Sequence, residues 1–141
     1  MSPTDIVRDY EECRNRRDWQ RLRSLLHPQY SYTGSDGKEQ RGADAALAIA
    51  EMFTTAFPDA HIDIKSLRND GDFVTAEFLG IGTHKGDLMG IAPTGKKMSL
   101  PCCDIFELRD GKIYREREYY DTMHIMTQLG VAKMPAAVRA R

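Results

Sequence analysis

The change of hydrophobic period at Phe57-Pro58-Asp59 constrains this chain more than any other feature of it. Before that point apolar residues recur at helical spacing, and after it they alternate with polar ones. Ser2, Pro3 and Asp5 suit the N-cap, first and third positions of a first helix. Its inward stripe is Ile6, Tyr10 and Cys13, extending to Arg17. Asp18 caps a second, short helix carrying Trp19, Leu22, Leu25 and Leu26. His27-Pro28 ends it, because a residue before proline is driven out of the helical region. A short strand at 29–33 and a polar turn at 34–37 precede a long Ala-rich helix over 43–57.

Beyond the break the pattern predicts strands at 61–67, 73–84, 97–109 and 112–121, joined by turns at 69–72 and 110–111 and a Gly- and Pro-containing loop at 85–96. Helices followed by strands imply an α+β fold, with the helices covering one face of a curved antiparallel sheet. At 16.0 kDa the chain has the mass of one domain, assigned here to 1–130, with 131–141 as a basic tail.

A net charge of -1 offers no basic footprint for nucleic acid or for an anionic membrane surface. The longest apolar run, 45–50, falls far short of the roughly 20 residues a membrane helix needs. Cys13, Cys102 and Cys103 form neither a disulfide framework nor a zinc spacing, which suits a reducing, cytoplasmic setting. His27 and His61 have no convergent partners in sequence, so no metal is expected. Phosphate-cradling and nucleophile-elbow motifs are also missing from the sequence. A small, largely hydrophobic molecule is the expected partner.

The Asp110-Gly111 turn sets the geometry of the last hairpin. A two-residue turn there puts Leu108 opposite Ile113, Phe106 opposite Arg115, Asp104 opposite Arg117, Cys102 opposite Tyr119 and Leu100 opposite Asp121. A one-residue slip would set Asp104 against Glu116, and like charges directly opposite repel. The expected inward face therefore carries Asp104, Arg115, Arg117, Tyr119 and Asp121 among apolar neighbours, and buried charge needs partners or a use. An Asp at a strand end beside an apolar face suits a general acid or base, which makes Asp121 the leading catalytic candidate. His84, at the end of a strand and before a Gly-rich loop, is a second, and Asp104 a third. Asp104 with Arg117 also reads as a structural ion pair, and Asp121 as a cap of the segment TMHIMTQLG. Met52, Phe53, Tyr32 and Phe106 are expected to line a pocket with Leu108, and Arg117 and Tyr119 to lie at its polar end.

Four blocks then carry a resemblance: FPDAHIDI at 57–64, GIGTHKGDLMGIAPTGKK at 80–97, DIFELRDGKI at 104–113 and YYDTMHIMTQLG at 119–130. In this order they resemble the SnoaL-like polyketide cyclase family. The resemblance implies a cone-shaped α+β barrel of the nuclear-transport-factor-2-like superfamily with a deep apolar pocket, assembled as a homodimer or tetramer. It also implies ring closure of an aromatic polyketide ester by intramolecular aldol condensation, with an Asp as acid/base and neither metal nor organic cofactor. Asp121 matches that position, and His84 or Tyr119 would hold developing oxyanion charge; the polar partner that family cyclases place on the preceding strand, often His, is not evident, since that strand offers Asp104 and Glu107, with Asp104 the nearer by face. The alternatives on the same scaffold are a related lyase or isomerase, an epoxide hydrolase using Asp104, Arg117 and Asp121, and a protein that only binds a ligand.

Overall fold

A computed structural model describes residues 1–133 and Pro135. Its elements run α1 (Pro3–Arg16), α2 (Trp19–Ser24), β1 (Leu26–Thr33), β2 (Glu39–Arg41), α3 (Ala43–Ala56), β3 (His61–Asp70), β4 (Phe73–Thr83), β5 (Lys97–Arg109), β6 (Lys112–Tyr120) and α4 (Thr122–Gln128). Six strands form one curved sheet in the order β2-β1-β6-β5-β4-β3. The α+β class holds, but the sheet is mixed: β1 runs parallel to β6, and every other pairing is antiparallel. β2 and the early start of β1 are additions to the expected elements. Pro28 sits where the β1–β6 pairing breaks, between Leu26 and Ser31, a place where a missing N–H costs no ladder bond.

The first helix starts as its sequence dictates. Ser2 and Asp5 form a reciprocal capping box, with Pro3 just inside it. It ends at Arg17, a non-glycine residue in the left-handed region at φ 61. That conformation is held by the guanidinium, which donates to Pro58 O at 3.1 Å and Ala60 O at 3.2 Å. Helix end and loop are tied together at the mouth of the later pocket. One core cluster packs Ile6, Val7 and Tyr10 of α1 against Val74, Phe106 and Ile113 of the sheet. A second, around Phe57, Leu88, Met98 and Leu100, is closed by Ile125 and Leu129 from the α4 segment.

The last hairpin corrects the expected register. Asp110 and Gly111, both at positive φ, make the predicted two-residue turn, and Leu108 does oppose Ile113. One residue later the pairing slips, because Tyr114 is an extra residue in β6 and Glu107 opposes Arg115. The guanidiniums of Arg109 and Arg115 lie 3.8 and 3.7 Å from the centre of its ring, and His27 meets it edge-on. From there every β6 side chain is turned over relative to the expectation. Asp104 opposes Glu118 and Phe106 opposes Glu116, so Arg117 and Tyr119 leave the helix-covered face. Tyr119 is 49% exposed. Most of the expected tail lies outside the described residues. Among the described residues no helix is long and apolar enough to cross a membrane.

Candidate active site

One pocket opens between the end of α1, α3 and the sheet, enclosing about 600 Å³ with its open mouth included. Trp19, Phe53, Phe57, Phe78, Met98 and Leu100 make its walls apolar. Charge enters it from two sides, through Arg14 and Arg17 of the helix end and Glu118 of β6. Of the described residues that line it, Glu118 is the single carboxylate. That side chain is 4% exposed, and the Tyr32 hydroxyl donates to its Oε1 at 2.7 Å. Tyr120 lines the same end and meets Phe53 edge-on at 6.4 Å. Burial pushes its phenol up to about 12, so it is a proton donor rather than a base. Burial likewise pushes the Cys102 thiol up to about 12, which removes it as a nucleophile.

Behind Glu118 lies a sealed acidic floor. Glu11 of α1, Asp104 of β5 and Glu116 of β6 are each no more than 2% exposed. One carboxylate oxygen from each comes within 4.8 Å of the others. Tyr10 and Tyr30 both donate to Glu116 Oε1, at 2.8 and 2.6 Å, and Arg14 donates to Glu11 Oε2 at 3.3 Å. Asp104 receives no donor on either oxygen. Burial raises the proton affinity of all three, helped by the neighbouring carboxylates. Glu11 is pushed up to about 8 against the pull of Arg14, and Asp104 lies well above the usual carboxylate range. Three oxygens fall short of the six or more that Mg²⁺ or Ca²⁺ takes, and Arg14 already supplies a cation there. The arrangement suits protons better than a hard metal ion.

The sequence-predicted residues divide between this site and the rest of the fold. Phe53 lines the pocket, Tyr32 orients Glu118, and Asp104 sits in the floor. Phe106 and Leu108 are sealed in the first core cluster, Phe106 against Tyr10 at 5.7 Å, and Met52 is half-buried on α3 away from the lining. Arg117 and Tyr119 are turned away by the Tyr114 slip. Asp121 is exposed, and its Oδ1 accepts from the N–H groups of Met123 and His124 as the N-cap of α4. His84 is fully buried beside Phe57, with Nδ1 accepting from the Thr94 N–H at 3.2 Å, which latches the 85–96 loop.

Glu118, Arg14, Glu11 and Glu116 are additions to the predicted set. A signal for them exists in the sequence. Val7, Glu11 and Arg14 fall at helical spacing beside the apolar stripe, and Glu116, Glu118 and Tyr120 alternate along one strand face.

Similarity to known proteins extends over nearly the whole chain. The family model of SnoaL-like polyketide cyclases matches residues 4–129. An aklanonic acid methyl ester cyclase of Streptomyces peucetius is 29% identical over 129 residues, which cover 89% of each chain. Among solved structures, AclR of Streptomyces galilaeus superposes with a TM-score of 0.85 at 23% identity, covering 98% of this chain and 87% of that one. A protein of ketosteroid isomerase-like fold from Catenulispora acidiphila gives 0.76 at 19% identity, over 92% of this chain and 97% of that one. At those identities the two structures bear on the fold alone.

Proposed function

Because the chain belongs to the SnoaL-like polyketide cyclase family, we propose that it closes a ring of an aromatic polyketide ester by intramolecular aldol condensation, with Glu118 moving the proton. The observation that carries this reading is a single, Tyr32-anchored carboxylate in a pocket with apolar walls that Arg14 and Arg17 also line. A C–H flanked by two carbonyls is acidic enough for a positioned carboxylate to remove. Glu118 takes that proton, the C–H electron pair moves into the enolate, and the enolate carbon attacks the ketone carbon. The resulting alkoxide takes the proton back from Glu118. No atom is gained or lost, so the reaction calls for neither redox partner nor organic cofactor.

Tyr32 occupies Oε1 of Glu118, which leaves Oε2 for the substrate. Arg14, whose side chain is 13% exposed, lines the same pocket and can offset enolate charge in a poorly solvated space. The apolar walls hold the ring system and keep water from the enolate.

The test supplies aklanonic acid methyl ester, the compound named for the Streptomyces peucetius relative, and follows ring closure by chromatography. The wild-type chain is expected to accelerate closure, and Glu118→Gln to lose about 10²- to 10⁴-fold of that acceleration. Failure of the wild type on this ester and on a panel of other aromatic polyketide esters would refute the reading. A Glu118→Gln rate equal to the parent's would move the acid/base role elsewhere, Asp121 being the next residue to substitute.

A further inference from the structure

Three oxygens in the acidic floor have no hydrogen-bond partner: both carboxyl oxygens of Asp104 and Oε1 of Glu11. Both residues are 0% exposed, so water does not satisfy them from outside. An ionised carboxylate with no donor is among the costliest groups a protein can bury, and Asp104 would be one, while Glu11 has a donor on Oε2 alone. One proton pairs two of the three bare oxygens. An Asp104 hydroxyl donating toward Glu11 Oε1 gives one oxygen of each residue a partner, and one oxygen of each residue already lies within 4.8 Å of the other.

We infer that Glu11 and Asp104 form a carboxyl pair that holds at least one proton at neutral pH and sets the charge of the pocket floor behind Arg14 and Glu118. Each element packed around the pair supplies a fixed neighbour. From α1 come Tyr10 and Arg14, from β1 Tyr30 and Tyr32, from β5 Cys102, and from β6 Glu116, Glu118 and Tyr120. β4 presents only Ala76 opposite Asp104. Arg14 is the one cation among four carboxyl groups, and it donates to Glu11. Tyr10 and Tyr30 stabilise Glu116, and Tyr32 stabilises Glu118. Asp104 is the member with no such support, so it is the one that takes the proton. The raised proton affinities of Glu11 and Asp104, caused first by burial, agree with that placement.

The consequence for the site is electrostatic. With Asp104 neutral, the floor sets one negative charge fewer against the guanidinium of Arg14, and Glu118 is left facing the substrate as the working carboxylate. The catalytic part of this inference rests on the cyclase reading, but the proton itself does not.

The experiment therefore uses no substrate. In the wild-type chain labelled with ¹³C at the aspartate carboxyl carbon, one resonance is expected to keep the shift of a protonated acid through pH 7. Infrared spectra are expected to show the matching protonated-acid carbonyl band, lost in Asp104→Asn and kept in Glu118→Gln. Aspartate resonances that are all ionised at pH 7, or an acid band that survives Asp104→Asn, would overturn the inference. So would a stoichiometric divalent cation in the purified protein whose removal makes the acid band appear. The labelled wild type answers the question even if Asp104→Asn does not fold, and a failed cyclase assay leaves these signals untouched.

Discussion

Raising the pH from about 5 to about 8 is expected to weaken this fold, because the Glu11–Asp104 pair keeps a proton in the folded chain. Burial pushes the Asp104 carboxyl well above the usual carboxylate range and Glu11, against the pull of Arg14, up to about 8. Across that interval the folded chain keeps a proton that the unfolded chain releases. The stability this proton contributes is complete below the unfolded value and is lost as pH climbs through the folded one. One such proton costs about 1.4 kcal/mol for each pH unit over which the folded chain keeps it. Urea unfolding at a series of pH values reads the slope directly, and the control is Asp104→Asn, which keeps the shape of the side chain without its proton. Its slope, not its midpoint, is the measured quantity, and it is expected to fall by about 1.4 kcal/mol per pH unit. Equal slopes in parent and variant would show that Asp104 does not carry a proton in the folded protein.

Other outcomes follow from the same geometry. Asp121→Asn is expected to keep ring closure within a few-fold, because an Asn still caps α4, while Glu118→Gln does not; side-by-side kinetics on one ester decide between them. Gly86→Ala is expected to destabilise by about 1–3 kcal/mol in chemical denaturation, since its Cβ would stand 2.0 Å from the Thr55 carbonyl oxygen. Tyr114→Ala removes two cation–π contacts and is expected to cost about 1–2 kcal/mol on the same assay. Light scattering at micromolar concentration is expected to give a multiple of 16.0 kDa, consistent with exposed Phe73 and Ile81 on the sheet, and a 16.0 kDa particle would reject self-association.

Local chemistry made most of the fold legible. The Ser2-Pro3-Asp5 box, the Asp18 cap and the Asp110-Gly111 turn each act through their own few residues, so they survive whatever the rest of the chain does. β2 was invisible because three exposed residues, Glu39–Arg41, carry no apolar alternation and pair only with β1. The parallel β1–β6 contact joins residues more than 80 positions apart, and nothing in either segment announces its partner. The pocket was half legible. Phe53 and Tyr32 have the right residue types at the right spacing, whereas Glu11 and Asp104 meet only through the tertiary fold.

The register of the last hairpin shows why the site itself escaped. Repulsion between like charges is a sound reason to reject a pairing when both groups stay ionised. Here Asp104 opposes Glu118 all the same, because the slip is decided elsewhere, at Tyr114, where two guanidiniums and an imidazole hold the extra residue outside the sheet. The two acids it turns inward are met by tyrosine hydroxyls, Tyr10 and Tyr30 on Glu116 and Tyr32 on Glu118. Without the slip, Arg115, Arg117 and Tyr119 would occupy those inward places, and the pocket would end in cations. An aromatic residue on the outer face of β6 thus selects the sign of the charge at the bottom of the pocket, and with it whether the site removes a proton from a ligand or binds an anion.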